Sequence, residues 1–520
     1  MKITIKILTV LAILSLPACK KYLERNPHEF LSTGAFYKNE KDIELALYGS
    51  YASLREIKNS AEYVFNENRS DNATYQYRLY NDAWIYPSLM TVDPGNTHVD
   101  QYWRYSYVLI SRVNLILKHI DVVADEAVRK RFTGEAKFLR AWAYFNLVRY
   151  FGDVPLVTEP FESGNLAKTK DRDPVANIYP FLIAELQDAM ELLGATPVNL
   201  VNDYGRANKW AAGALLGKVL LTKGDKPAAL TVLRNVYDNS GYQLVSNYAE
   251  LFAETTETTQ AQKEVFFAVR FSGGGMGTGS VLPTYAGIDI FHGFGRNVTL
   301  FSNSLLNAYV RTSDTAVDKR YKVTCNNIPA VTEGPAALGI LKRYPAKGVG
   351  VAKDASGNYK SVLIPVQNDS GTDFPELRFA DVVLMLAECE GNTTTGLTLL
   401  NRVRTRAGAP AYTAASITTL FNGDFQEAVL NERRLELAFE GDRLFDLKRM
   451  GDVYMEQKLL QFYTSEPTYT RTDYFPEIIL ITNQVTHNGT KIDAWRFLLP
   501  IPRNQIVRSD VMKQNPGYTN

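Results

Sequence analysis

Five histidines, His28, His98, His119, His292 and His487, are the first place to look for metal or acid–base chemistry. No two stand four residues apart and there is no HExxH, so zinc ligation from one helix face has no support. There is also no GxSxG nucleophile elbow and no P-loop. The run Gly273–Gly279 follows an extended stretch, Glu264–Ser272, but Pro283 prevents a helix soon after it. The third glycine of a dinucleotide fingerprint is missing, and the run reads as a loop rather than a phosphate cradle. Asp369-Ser370-Gly371-Thr372-Asp373 carries too few oxygen ligands for an EF-hand loop. No cofactor is therefore expected, with a structural Ca²⁺ left open as the alternative. The densest charge cluster is Glu432-Arg433-Arg434-Leu435-Glu436. Its charges alternate at pairing distance on one predicted helix, and ion pairing explains it better than acid–base catalysis.

Recognition chemistry is better represented. Aromatics make up 12% of the chain, with 30 Tyr, 25 Phe and 5 Trp. Sugars offer C–H faces that stack on rings and hydroxyls that pair with Asn, Asp, Arg and Gln. Residues 68–86, NRSDNATYQYRLYNDAWIY, interleave both kinds of side chain. The candidate ligand surface is the loop after Asp71-Asn72, with Tyr75, Tyr77 and Trp84 as stacking platforms and Asn72 and Arg78 as hydroxyl partners. Tyr285 and Phe291 are a second choice. The competing reading for each ring is ordinary core packing. Trp84 is weighed toward exposure because it lies between Asp82 and Pro87, where neither helical nor strand periodicity is present. A glycosidase would instead need two carboxylates about 5–10 Å apart in a cleft, and no motif asks for that. A scaffold binding only proteins would leave the aromatic loops without a purpose.

These residues must be positioned by helices. Residues 134–156, GEAKFLRAWAYFNLVRYFGDVPL, are apolar almost all round as far as Phe151, stopped by Gly152 and Pro155. In 378–390 the residues Phe379, Val382, Val383, Leu386 and Ala387 follow helical spacing, with Asp381 and Glu388 opposite. A polar break at 391–395 leads to a second helix with Leu399, Leu400 and Val403, closed by Gly408 and Pro410. A third pair spans 208–237, turned by Gly224-Asp225-Lys226-Pro227, with Gly217 and Ala229 at the small positions where tetratricopeptide-type helices approach. The expected class is mainly α: irregular tetratricopeptide-like helix pairs with long loops and a few short strands. The loop-rich blocks are 66–106, 255–375 and about 460–495.

With Lys+Arg 57 against Asp+Glu 56, the chain has no basic excess for nucleic acid. Lys2 and Lys6 precede an apolar run, Ile7–Leu16, and then Leu16-Pro17-Ala18-Cys19. The apolar run is too short to span a bilayer and reads as a secretory signal. A cysteine just after the small residue is similar to the bacterial lipobox, which makes Cys19 the lipidation site and residues 1–18 the signal peptide. Cys325 and Cys389 are read as a loop thiol and a buried helical thiol, in preference to a disulfide.

On these motifs the chain resembles the SusD/RagB family of Bacteroidetes outer-membrane lipoproteins. The resemblance rests on 134–156, on 378–390 with LLNRVRTRAG at 399–408, on LNERRLELAFEGDRLFDLKRM at 430–450, on LLPIPRNQI at 498–506 with QNPGY at 514–518, and on SDNA at 70–73 with the helix of Trp103, Tyr107, Ile110 and Asn114. It implies one domain over 19–520, with an N-terminal portion at about 19–230 and a C-terminal portion at about 260–520. It implies four tetratricopeptide-like helix pairs and non-enzymatic capture of a nutrient, usually a glycan, with RagB-like peptide capture as the variant. The implied partner is a SusC-like TonB-dependent transporter, and the implied location is the outer membrane, lipid-anchored and facing outward. Acidic residues often follow the lipidated cysteine in surface-exposed members. Here Lys20-Lys21-Tyr22-Leu23-Glu24-Arg25 has one, which leaves a periplasmic orientation open.

Overall fold

The computed structural model describes residues 36–74, 86–161, 164–194, 204–252, 261–283, 299–313, 317–327, 343–345, 351–353, 359–361, 368–465 and 491–519. Cys19, Tyr75, Tyr77, Arg78, Trp84, Tyr285 and Phe291 lie outside these residues.

The helical frame is set by local capping chemistry and by apolar faces. Its first part comprises α1 (Glu40–Ile57), α2 (Thr97–Lys118), α3 (Glu126–Phe151), α4 (Val175–Leu192), α5 (Lys209–Lys223) and α6 (Lys226–Asn239). Asn39, Asn96, Asp125, Asn208 and Asp225 each accept a hydrogen bond from a first-turn amide at the start of α1, α2, α3, α5 and α6, satisfying donors that the helix itself cannot. After α6 come α7 (Asn303–Thr312), α8 (Phe379–Glu390), α9 (Thr394–Arg406), α10 (Phe425–Leu437), α11 (Arg443–Arg449) and α12 (Asp452–Ser465). The pairs implied by the resemblance are α1/α2, α3/α4, α5/α6 and α8/α9. They stack in succession, α2 on α3, α4 on α5 and α6 on α8, so each pair buries its apolar face on the next. Among the described helices none is long and apolar enough to cross a membrane.

Two positions show how closely the pairs approach. A Cβ on Gly217 would lie 2.3 Å from Leu233 Cδ2 of α6, so the glycine lets the two helices touch. Gly224 closes α5 at φ +91°, a left-handed cap that costs a glycine little.

Two sequence expectations change, at the start of α3 and at the cysteines. Helix α3 begins at Glu126, not Gly134, because Asp125 caps it. The first two turns escape an apolar-pattern reading because most of their residues face solvent. The polar side of α8 is not solvated: Asp381 and Glu388 are buried and ion-paired. The thiols exchange places. Cys325 is buried at the start of a strand, and Cys389 is partly exposed near the end of α8, neither in a disulfide. Burial and the Glu388 carboxylate push the Cys389 thiol up to about 12.

The described strands form two-stranded ladders: β1 (Ala73–Thr74) with β3 (Leu300–Phe301), β2 (Val265–Val269) with β8 (Phe374–Arg378), β4 (Cys325–Asn327) with β5 (Arg343–Pro345), and β6 (Val351–Lys353) with β7 (Tyr359–Ser361). The β2 segment is the one read as extended from EVFFAVRFS. The glycine run that follows it wraps this chain's own acid: the Gly274 and Gly275 amides donate to Asp369 Oδ2 at 2.9 and 2.8 Å. Asp373 accepts from the Phe271 amide at 2.8 Å and pairs with Arg270 at 2.7 Å. Both acids of the 369–373 segment are thus engaged by the protein.

Candidate functional site

Asp71 and Asn72 lie just before β1, and both are held by side chains from other elements. Asn72 is fully buried. Its amide donates to Glu67 Oε2 at 3.1 Å and accepts from Arg434 Nε at 3.0 Å. The structure thus places this candidate hydroxyl partner inside the protein, with both ends of its side chain used in holding the turn. Asp71 receives Arg443 through both carboxylate oxygens, at 2.6 and 2.8 Å, and its backbone carbonyl receives Arg434 at 2.5 Å. Burial alone would raise the Asp71 carboxyl, but Arg434 and Arg443 outweigh it and hold the group well below the usual carboxylate range.

The residues just before the first chosen segment pair with those just after the second. Ala73 pairs with Phe301 and Thr74 with Leu300. The Ser302 amide donates to Asn72 O at 3.0 Å, and its hydroxyl donates to Asp71 O at 2.8 Å. The chain leading to Tyr75 and Trp84 therefore departs beside the chain arriving from Tyr285 and Phe291. The end of α12 bonds the chain that follows residue 85: the Tyr463 hydroxyl donates to Ser88 O at 2.8 Å.

Beside this junction α7, α10 and α12 enclose an open cleft of about 310 Å³. From α7 come Ser304, Asn307 and Arg311, from α10 Glu427, Asn431 and Arg434, and from α12 Lys458, Gln461 and Phe462. Asp71 and Arg443 form the floor. Lys458 pairs with Glu427 at 2.7 Å. The lining is dominated by hydrogen-bonding groups, with one buried ring, Phe462. Among the described residues no group of three His, Cys, Asp or Glu side chains could hold a metal ion.

The Glu432–Glu436 cluster pairs as expected, but not within its own helix. Glu432 receives Arg320 and Arg404, each at 2.5 Å. Glu436 receives Arg378 at 3.1 Å and also Arg406. Arg433 reaches Asp381 at 2.6 Å and Asp446 at 2.8 Å, while Arg434 turns to Asn72. Successive residues of α10 point in different directions and tie separate segments together. The cluster is a structural hub that borders the cleft through Arg434.

The cleft residues of α7 and α12 escaped the sequence reading. The signal for α7 was a Ser302 cap, whose hydroxyl accepts from Leu305 N at 3.0 Å. It was masked by the Gly- and Asn-rich composition of 255–375.

Fold and site together define an α-helical-repeat protein with an open polar cleft between three of its helices. Residues 307–518 match the profile described as SusD family, and residues 21–221 match one described as starch-binding associating with outer membrane. The chain is 26% identical to SusD-like protein P2 of Formosa agariphila, over 99% of each chain. It is 25% identical to the starch-binding protein SusD of Bacteroides thetaiotaomicron, over 80% of this chain and 78% of the relative. A solved structure described as a laminarin-binding SusD-like protein superposes with a TM-score of 0.71 at 24% identity, covering 93% of this chain and all of the other. The chain belongs to the SusD/RagB family.

Proposed function

We propose that the protein captures carbohydrate at the outer membrane without transforming it, and hands it to a SusC-like TonB-dependent transporter. The supporting observation is the open polar cleft at the common base of the two aromatic-rich segments, in a chain whose N-terminal half matches a starch-binding, outer-membrane-associating family. Hydroxyl-rich ligands suit such a lining, because each Asn, Gln, Ser and Arg offers a directional hydrogen bond. Cys19 is the proposed anchor, with the binding face turned outward.

Calorimetric titration of the mature chain with laminarin, starch and other polysaccharides, alongside a peptide library, tests the reading. Saturable glycan binding without release of reducing ends is expected. Binding of peptides alone, or steady turnover of a glycan, would overturn it. Trp84→Ala is expected to weaken glycan binding about tenfold, the scale of one lost stacking contact, at an unchanged melting temperature. Unchanged affinity removes the 75–85 segment from the site. Cys19→Ala is expected to move the protein from the membrane to the soluble fraction, and retention through a carbonate wash would reveal another anchor.

A further inference from the structure

The cleft carries more positive than negative charge. Its carboxylates are Asp71 and Glu427, and its cations are Arg311, Arg434, Arg443 and Lys458. Glu427 is matched by Lys458. Asp71 is shared, bound by Arg443 and lying 3.4 Å from Arg434. Arg311 has neither a carboxylate nor a hydrogen-bond acceptor among the described residues, and its guanidinium lies 5.4 Å from the Phe421 ring centre. It is exposed at the wall of the cleft, with Asn307 one helical turn before it on α7. A guanidinium in this position presents a planar fork that fits an oxyanion.

We propose that the cleft seats a sugar unit bearing an oxyanion, a carboxylate or a sulfate ester, with Arg311 as the group that pairs with it. This rests on the reading that the protein binds carbohydrate. It deepens that reading by naming the class: acidic rather than neutral glycans. Asn307 and Gln461 stand at the same opening to meet the ring hydroxyls.

The test is calorimetry on the full mature chain with oligogalacturonides, sulfated galactan oligosaccharides and neutral laminari- and malto-oligosaccharides of matched length. The acidic series is expected to bind about tenfold tighter than the neutral one, the scale of a charge-assisted contact. Arg311→Ala is expected to remove that advantage at an unchanged melting temperature, and Arg311→Lys to keep part of it. The uronate and sulfate arms distinguish which oxyanion is preferred. Preferential binding of neutral glycans, or an equal loss from Arg508→Ala, which lies outside the cleft, overturns the inference while leaving carbohydrate capture standing. Failure to bind any glycan overturns both.

Discussion

Arg320 is fully buried, with Asp318 at 2.8 Å, Glu432 at 2.5 Å and Glu436 at 3.4 Å. A buried ion pair is not by itself a strong source of stability, but removing one partner strands the others in a low-dielectric interior. Arg320→Ala is therefore expected to cost about 3–5 kcal/mol, read as a lowered urea midpoint. A loss below about 1 kcal/mol, the worth of an exposed pair, would show that the network is hydrated. The same chemistry sets the acid response. Burial opposes ionisation of Asp71, Asp318, Asp381 and Asp446, yet neighbouring Arg and Lys side chains hold all four below the ordinary value of 3.8. Their folded-state pKa values are depressed, so their contribution is complete above about pH 4 and drains away as pH falls below it. The melting temperature is expected to drop steeply between about pH 4 and pH 2. A flat profile there would mean that these acids are not paired in solution.

At the scale of elements, close packing between α5 and α6 depends on Gly217. Gly217→Val is expected to destabilise by about 1–3 kcal/mol through overpacking, and Leu233→Ala should restore part of the loss in the double variant. Additive losses would show that the two positions do not touch. The helices α5, α6 and α9 were readable in the sequence because apolar periodicity, a short capping side chain and a nearby glycine stop coincide in each, and α8, which has no side-chain cap, was readable from its periodicity and Gly391. The beginning of α3 was not, because its solvated turns carry no apolar pattern. Nor was the cleft: Asp71, Ser304, Arg311, Asn431, Arg443 and Lys458 come from separate stretches, and each alone reads as an ordinary polar residue. The ERRLE cluster shows the same limit. Sequence identifies charges that must pair, but partners such as Arg320 and Asp381 are supplied by the tertiary fold.

Across the whole molecule, early and late parts of the chain complete each other's polar groups. Lys218 reaches Asp381 at 2.7 Å and Asp442 at 2.8 Å, Trp142 donates to Glu376 at 3.1 Å, and the Gly441 amide donates to Glu67 at 2.8 Å. The full chain is expected to melt in one calorimetric transition, and a fragment ending near residue 240 is expected not to fold cooperatively. Two separate transitions would divide the chain into independent domains. The β1–β3 ladder has a further consequence, for descent. It joins residues 73–74 to residues 300–301, so two stretches far apart in the chain meet as partners and are expected to vary together. Natural selection is therefore expected to act on the two sides of the junction as one unit.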